Sequence, residues 1–133
     1  GLGQATKICN NMLAGINALA AAEAMTMGER LGVSPDILYE VISTSTGRSY
    51  IFETSNPMPD VCSTSPANNK FKPGFMAKLM LKDLRLSQAA AQDAKTSTPL
   101  GAAVTAAFQQ LIDSGFGDLD TSSIIKVIRP ESK

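Results

Sequence analysis

Histidine and tryptophan are absent from this sequence of 133 residues. Without histidine, the chain excludes imidazole acid/base catalysis, Ser-His triads and every zinc site that needs an imidazole ligand. The two cysteines, Cys9 and Cys62, lie far apart and form no C-x-x-C motif. They therefore indicate neither a metal knuckle nor a disulfide framework, and no metal is expected. No apolar run reaches the roughly 18 residues of a membrane-spanning helix, so no membrane partner is expected.

An excess of charge of either sign is also lacking, because twelve Lys and Arg balance twelve Asp and Glu. A neutral chain has no overall field that attracts nucleic acid, so nucleic acid is not expected as a partner. Apolar residues make up 44% of the chain and charged residues 18%, which indicates a folded protein of one modest core. Any chemistry must then use Lys, Asn, Asp, Ser or Tyr.

Helix-forming residues dominate the chain, and the alternation that marks strands is nearly absent. Turn and cap residues predict helices over 3–31, 34–44, 75–94, 98–115 and 122–128. Residues 55–74 are rich in Pro, Asn and Gly, and so long a loop in a compact domain is usually functional or disordered. The sequence therefore predicts an all-α domain, a multi-helix bundle over residues 1–133.

The first predicted helix is apolar on all sides, since no charged residue lies between Lys7 and Glu23. Such a helix is buried in a larger core, and the asparagines within it argue against a membrane. We therefore expect it to be central, with neighbours on most faces. Two interpretations stay open: a contact with another domain or subunit, or a five-helix bundle that buries the helix by itself. Cys9 lies roughly opposite Lys7 and is expected in the core.

Lys7 and Asn11 lie one helical turn apart and project from the same face. In one interpretation, Lys7 extends to solvent and Asn11 hydrogen-bonds to neighbouring backbone. In the other, Lys7 lines a pocket in which its ammonium is partly removed from water and is ready for proton transfer. The spacing alone fits both interpretations.

A basic segment spans residues 70–85, where the only acid is Asp83 and the cations are Lys70, Lys72, Lys78, Lys82 and Arg85. Lys78 and Lys82 share a helix face with Phe75. That face suits a ligand that carries a phosphate or a carboxylate, or it is an ordinary solvated surface.

The opening string Gly1-Leu2-Gly3-Gln4-Ala5-Thr6-Lys7-Ile8-Cys9-Asn10-Asn11-Met12 resembles the start of the C-terminal domain of the 3-hydroxyisobutyrate dehydrogenases, in the β-hydroxyacid dehydrogenase family. Later strings match in the same order: Ala22-Glu23-Ala24-Met25, Thr46-Gly47-Arg48, Asn56-Pro57 with Pro59, Pro66-Ala67-Asn68-Asn69, and Gly74-Phe75 before Leu79-Met80-Leu81-Lys82-Asp83-Leu84. The resemblance covers essentially the whole chain. It implies a helical domain like the C-terminal domain of 6-phosphogluconate dehydrogenase, which works with an N-terminal Rossmann domain outside this chain and associates into a homo-oligomer, as in a dimer.

The resemblance also implies roles for five residues. Lys7 matches the catalytic lysine of a K-x-x-x-N motif, and Asn11 matches its substrate-binding asparagine. Lys82 matches a lysine that contacts the cofactor NAD, and Phe75 and Asp83 match residues that line the substrate site.

The implied reaction is the NAD-dependent oxidation of a small β-hydroxy acid, 3-hydroxyisobutyrate, to methylmalonate semialdehyde, a step of valine catabolism. The implied location is the mitochondrial matrix of a eukaryote, or otherwise the cytoplasm. Two alternatives remain, a related reductase of tartronate semialdehyde or glyoxylate and a non-catalytic helical association module.

Overall fold

A computed structural model describes residues 1–131. Helices and turns carry the fold in this range, and no strand occurs there beyond an isolated pairing of Met76 with Asp120. The α-helices are α1 (Leu2–Arg30), α2 (Pro35–Ile42), α3 (Tyr50–Thr54), α4 (Ala77–Asp93), α5 (Pro99–Asp113) and α6 (Ile125–Ile128). Two 3-10 helices lie at Pro66–Asn69 and Thr121–Ile124. The predicted all-α class is confirmed.

The predicted helices begin and end close to the expected residues, because local signals set their ends. Gly32 adopts a left-handed backbone with a φ of 93°, which ends α1. Pro35 and Pro99 occupy the first turns of α2 and α5. Proline fits there because the first backbone N–H groups of a helix have no partner within the helix. The last predicted helix is a 3-10 turn that continues into α6.

The loop predicted over 55–74 is packed rather than disordered. Asn56, Pro57 and Phe71 are fully buried within it, although its backbone is mostly irregular. Its 3-10 helix and the preceding α3 were not predicted, because each is only about one turn long. In α3, the Ser49 hydroxyl accepts a hydrogen bond from the backbone N–H of Phe52 at 3.0 Å and so caps the helix.

Helix α1 is the centre of the bundle, since it contacts every other α-helix of the described chain. Its C-terminal half is buried along Ala18, Ala22 and Met25. A side chain at Gly15 would lie 3.2 Å from Met80 and Leu84, so α4 packs on α1 at close range. The predicted central position is therefore confirmed for this half.

The N-terminal half of α1 is much more open. Leu2 is 89% exposed and Leu13 is 55% exposed, so the bundle does not bury this helix by itself. The prediction that Cys9 lies in the core is wrong, because Cys9 is exposed. It faces an apolar groove of about 550 Å³ that runs between α1 and the C-terminal end of α4, and nothing in the described chain fills that groove. A helix face becomes core only where another element covers it.

Candidate active site

Four of the predicted site residues meet in one cleft of about 190 Å³ between α1 and α4. Helix α1 supplies Lys7 and Asn11 from successive turns of one face, and α4 supplies Lys82 and Asp83. The fold therefore joins residues that lie more than seventy positions apart in sequence. We call this space the α1–α4 cleft.

A hydrogen bond between side chains crosses the α1–α4 cleft. Asn11 Nδ2 donates to Asp83 Oδ2 at 2.8 Å, and both residues are half-buried. Because a carboxylate only accepts, the amide nitrogen of Asn11 must face Asp83. Asn11 Oδ1 accepts a weaker bond from Asn10 Nδ2 at 3.3 Å. The partner of Asn11 is thus a charged side chain, rather than the backbone that one interpretation expected.

The two lysines of the cleft, Lys7 and Lys82, are exposed. The exposure of Lys7 agrees with the interpretation in which it extends to solvent, although the residue also lines the α1–α4 cleft. Two ammonium groups and one carboxylate give this cleft a net positive charge, which favours an anionic ligand.

Phe75 does not line the α1–α4 cleft. It lines a neighbouring cavity of about 380 Å³, and Asn11 lines both spaces. We call this second space the Phe75 cavity. Its apolar lining comes from Ala14, Ala18, Ile51, Met80 and Pro66, and its hydroxyls come from Ser55, Thr64, Thr121 and Ser122. Among the described residues, Asp120 is the one ionisable residue that lines the Phe75 cavity, so these residues contribute no cation to it.

Asp120 is a site residue that the sequence analysis did not identify, since it lies just before the predicted last helix and matches no motif of the resemblance. It is 5% exposed. Its Oδ1 accepts from the backbone N–H groups of Gly74 and Phe75 at 3.0 and 2.9 Å, and its Oδ2 accepts from Ser122. The only sequence signal was an N-cap residue before a turn, which reveals the bond to Ser122 and not the bonds to residues 74 and 75.

The basic segment does not act as one surface. Lys82 lines the α1–α4 cleft, whereas Lys78 forms an exposed ion pair with Asp118, its Nζ lying 2.7 Å from Oδ1. Lys78 lines neither of the two spaces. The helix face that Lys78, Lys82 and Phe75 were predicted to share is therefore divided between three environments.

Lys126 and Cys62 are among the groups away from the α1–α4 cleft whose pKa values are shifted. Burial lowers the pKa of Lys126, whose ammonium lies 5.0 Å from the ring centres of both Phe71 and Phe116. Burial by itself raises the pKa of the Cys62 thiol, but hydrogen bonds, led by that of Thr64, outweigh it and leave the pKa below its ordinary value. Neither group lines the cleft, so these shifts concern stability rather than the site.

Within residues 1–131, no group of three or more Cys, Asp and Glu side chains is placed to hold a metal ion. No helix of that range is long and apolar enough to cross a bilayer.

The donors of the α1–α4 cleft fit one end of a nicotinamide dinucleotide. The exposed ammonium of Lys82 suits a phosphate or a polar group of such a ligand. At about 190 Å³, however, the cleft is smaller than the roughly 300–1,000 Å³ of sites that enclose a drug-sized ligand. The described residues therefore fit a contact with the cofactor and not a complete binding site for it.

Comparison with known proteins shows that the relatives of this chain are NAD-dependent dehydrogenases of small hydroxy acids. The chain is 37% identical over 131 residues to the mitochondrial 3-hydroxyisobutyrate dehydrogenase of Drosophila melanogaster, and 40% identical over 131 residues to that of Pongo abelii. It is 38% identical over 130 residues to an NAD-dependent L-serine dehydrogenase of Pseudomonas aeruginosa. Each match covers 98% of this chain but only 39–44% of the relative.

A solved structure of the Mycobacterium tuberculosis 3-hydroxyisobutyrate dehydrogenase with L-serine superimposes with a TM-score of 0.91 at 40% identity. It covers 96% of this chain, and this chain covers 43% of it. The family model described as the NAD-binding of NADP-dependent 3-hydroxyisobutyrate dehydrogenase matches residues 1–128. The chain belongs to this family, which confirms the predicted resemblance and the predicted cofactor, NAD. It spans about two fifths of the length of these relatives.

Proposed function

We propose that this chain is the helical C-terminal domain of an NAD-dependent 3-hydroxyisobutyrate dehydrogenase, with the fold of the C-terminal domain of 6-phosphogluconate dehydrogenase. The whole enzyme oxidises 3-hydroxyisobutyrate to methylmalonate semialdehyde, as valine catabolism requires. The observation that carries this proposal is that Lys7, Asn11, Lys82 and Asp83 line one cleft although two helices supply them. The match of 98% of this chain to 40% of a relative supports a single domain of a larger enzyme.

The charges of the two spaces indicate how the substrate lies. Among the described residues, the α1–α4 cleft presents the ammonium group of Lys82 beside Lys7, whereas Asp120 is the only ionisable residue that lines the Phe75 cavity. The carboxylate of the substrate therefore belongs on the side of the lysines, and its uncharged part points towards the Phe75 cavity. Asn11, which lines both spaces, holds the substrate between them.

Lys7 takes the proton of the substrate hydroxyl, and NAD, when bound, supplies the acceptor for the hydride of the carbinol carbon. The ordinary pKa of a lysine is about 10.4, so a lysine that acts as a base near neutral pH must be partly removed from water. Lys7 is exposed in this chain. We therefore assign the removal of water to an N-terminal Rossmann domain that covers the α1–α4 cleft.

The same domain has to hold most of the cofactor, because the α1–α4 cleft fits only a contact from Lys82. We therefore expect the 133-residue chain alone to show no turnover and very weak NAD binding. A micromolar Kd for NAD, measured with this chain by calorimetry, would contradict that expectation.

We also propose that the whole protein is a homo-oligomer. The exposed N-terminal half of α1 and the unfilled apolar groove of about 550 Å³ support a contact beyond this chain. The relatives from Drosophila melanogaster and Pongo abelii are named as mitochondrial, which supports the mitochondrial matrix for a eukaryotic protein and the cytoplasm otherwise.

Oxidation of L-serine is a second candidate. L-serine is also a β-hydroxy acid, with an ammonium in place of the methyl group of 3-hydroxyisobutyrate. The Pseudomonas aeruginosa relative is an L-serine dehydrogenase, and the solved Mycobacterium tuberculosis structure is one with L-serine. In the Phe75 cavity, the negative charge of Asp120 is compatible with an ammonium group, although both carboxylate oxygens already accept hydrogen bonds from Gly74, Phe75 and Ser122.

Full-length protein should be assayed with NAD and (S)-3-hydroxyisobutyrate or L-serine, and with NADH and tartronate semialdehyde or glyoxylate. A kcat/KM that is highest for (S)-3-hydroxyisobutyrate supports the proposal, whereas a preference for another substrate replaces it. Folded protein that turns over none of the four would favour the non-catalytic association module.

In the same assay, variants of a cleft lysine and of a surface lysine can be compared. We expect Lys7→Ala to lose turnover and to keep most NAD binding. Lys78→Ala is the matched control, since Lys78 is an exposed lysine of α4 that lines neither space. It should keep a normal kcat.

A further inference from the structure

The carboxylate of Asp120 is buried and collects four hydrogen bonds from two separate segments. Oδ1 accepts from the backbone N–H of Gly74 at 3.0 Å and that of Phe75 at 2.9 Å. Oδ2 accepts from the backbone N–H of Ser122 at 2.9 Å and from the Ser122 hydroxyl at 2.7 Å. A buried charge is costly unless it is paired or fully hydrogen-bonded, and these four donors meet that requirement.

Capping the last helix does not by itself require an aspartate. Serine, threonine and asparagine cap a helix N-terminus about as well as aspartate, because the cap needs only one accepting oxygen. That bond is the one from Ser122 to Oδ2. The second oxygen of Asp120 is used entirely by Gly74 and Phe75, which lie more than forty residues earlier in the chain. Asp120 therefore has a second role besides capping, which is to bind the backbone of residues 74 and 75.

Both polar groups of the Phe75 backbone are held by the same segment. Its N–H is bonded to Asp120, and its carbonyl oxygen accepts from the Thr121 N–H at 2.8 Å and the Thr121 hydroxyl at 2.9 Å. Phe75 is 38% exposed, so burial does not fix its ring in place as it fixes the ring of a core residue. The direction of the ring then depends on how firmly its backbone is held.

We propose that Asp120 is a positioning residue, which fixes Phe75 so that the ring forms a wall of the Phe75 cavity beside Asn11. This inference rests on the proposed function, in which that cavity receives the uncharged part of the substrate. Asp120 thereby sets the shape of the space that selects among β-hydroxy acids. It acts through Phe75, so its loss should change substrate affinity more than the rate of the chemical step.

A fluorescence experiment tests the positioning without any activity. The chain contains no tryptophan, so Phe75→Trp provides a single indole reporter at this position. In that background, Asp120→Ser keeps an oxygen that caps Ser122 but removes the carboxylate that binds the backbone of residues 74 and 75. We expect acrylamide quenching of the indole to rise at least about twofold and its anisotropy to fall, because a freed backbone exposes the ring.

The matched control is Asp118→Ser in the same Phe75→Trp background. Asp118 lies two positions away, and its side chain is exposed in an ion pair with Lys78. It should leave quenching and anisotropy unchanged. Circular dichroism at 222 nm confirms that each variant is folded before fluorescence is compared.

Should Asp120→Ser fail to fold, Asp120→Asn provides the same test. Its amide nitrogen cannot accept a hydrogen bond, and the charge that strengthens the bonds to Phe75 is lost. A smaller change in the same direction is expected. A folded Asp120 variant with unchanged quenching and anisotropy would overturn the proposal.

Steady-state kinetics of the full-length protein test whether the loss of Asp120 changes the affinity for the hydroxy acid. We expect Asp120→Ser to raise the KM for the hydroxy acid about tenfold while kcat stays within about threefold, and to have much less effect in a Phe75→Ala background. An equal effect in both backgrounds would show that Asp120 does not act through Phe75. If the unsubstituted protein has no turnover but the fluorescence changes as expected, the proposed function fails and the positioning of Phe75 stands.

Discussion

The hydrogen bond from Asn11 to Asp83 joins the two helices that form the α1–α4 cleft, and a double-mutant cycle measures its contribution to stability. The cycle uses Asn11→Ala, Asp83→Ala and the double variant. Single variants are ambiguous, because alanine is a better helix former than asparagine or aspartate by up to about 0.7 kcal/mol. The cycle cancels these single-site effects and leaves the coupling between the two side chains.

The structure sets the expected magnitude of the coupling. A hydrogen bond to a charged group contributes about 1.5–3 kcal/mol net. Both partners are only half-buried, so water competes for each of them. We therefore expect a coupling of about 1 kcal/mol, below that range. In a chain of this size, about 1 kcal/mol corresponds to a change in Tm of roughly 3–5 °C.

Urea unfolding of the 133-residue chain, followed by circular dichroism at 222 nm, gives the four free energies of unfolding. The control cycle pairs Asn11→Ala with Lys78→Ala, since Lys78 is an exposed residue of α4 that lines neither of the two spaces. That cycle should be additive within about 0.5 kcal/mol. If the cycle of Asn11 with Asp83 is equally additive, the bond does not hold the cleft together and our reasoning about Asn11 is refuted.

Three further predictions concern the fold. A Cβ at Gly28 would lie 2.5 Å from the Leu38 side chain. Overpacking of this kind costs about 1–3 kcal/mol, which exceeds the roughly 1 kcal/mol by which alanine is the better helix former. Gly28→Ala should therefore lower the free energy of unfolding measured in urea. Because burial lowers the pKa of Lys126 below its ordinary 10.5, the folded chain binds fewer protons than the unfolded chain just below pH 10.5. As the pH rises towards 10.5, the free energy of unfolding of the unsubstituted chain should therefore rise relative to that of the Lys126→Met variant. A difference between the two that stays constant with pH would contradict this prediction. A thiol reagent should modify the exposed Cys9 of this chain rapidly and the buried Cys62 only on unfolding. Equal rates of modification would contradict this difference in burial.

Local chemistry made much of this fold predictable. Gly32, Pro35 and Pro99 mark helix ends through backbone conformations that depend on one or two residues, so those helices begin and end where expected. The shared face of Lys7 and Asn11 follows from the helical period alone.

Long-range contacts were not predictable from the residues alone. The pairing of Asn11 with Asp83 spans 72 positions and depends on how α4 packs against α1. The carboxylate of Asp120 looks like an ordinary N-cap in the sequence, because its partners at residues 74 and 75 arrive only when the chain folds. Cys9 was misjudged for the same reason, since the helical period identifies a face and not the element that covers it.

We propose that Lys7 moves a proton in the α1–α4 cleft, and chemical rescue of Lys7→Ala in the full-length enzyme tests this role most directly. We expect kcat with NAD and the preferred hydroxy acid to fall by about 10²–10⁴ while NAD still binds. Added methylamine should restore part of the lost rate, in proportion to the concentration of its neutral form. A kcat within about twofold of that of the unsubstituted enzyme would contradict the claim, as would a loss of kcat that no small amine restores.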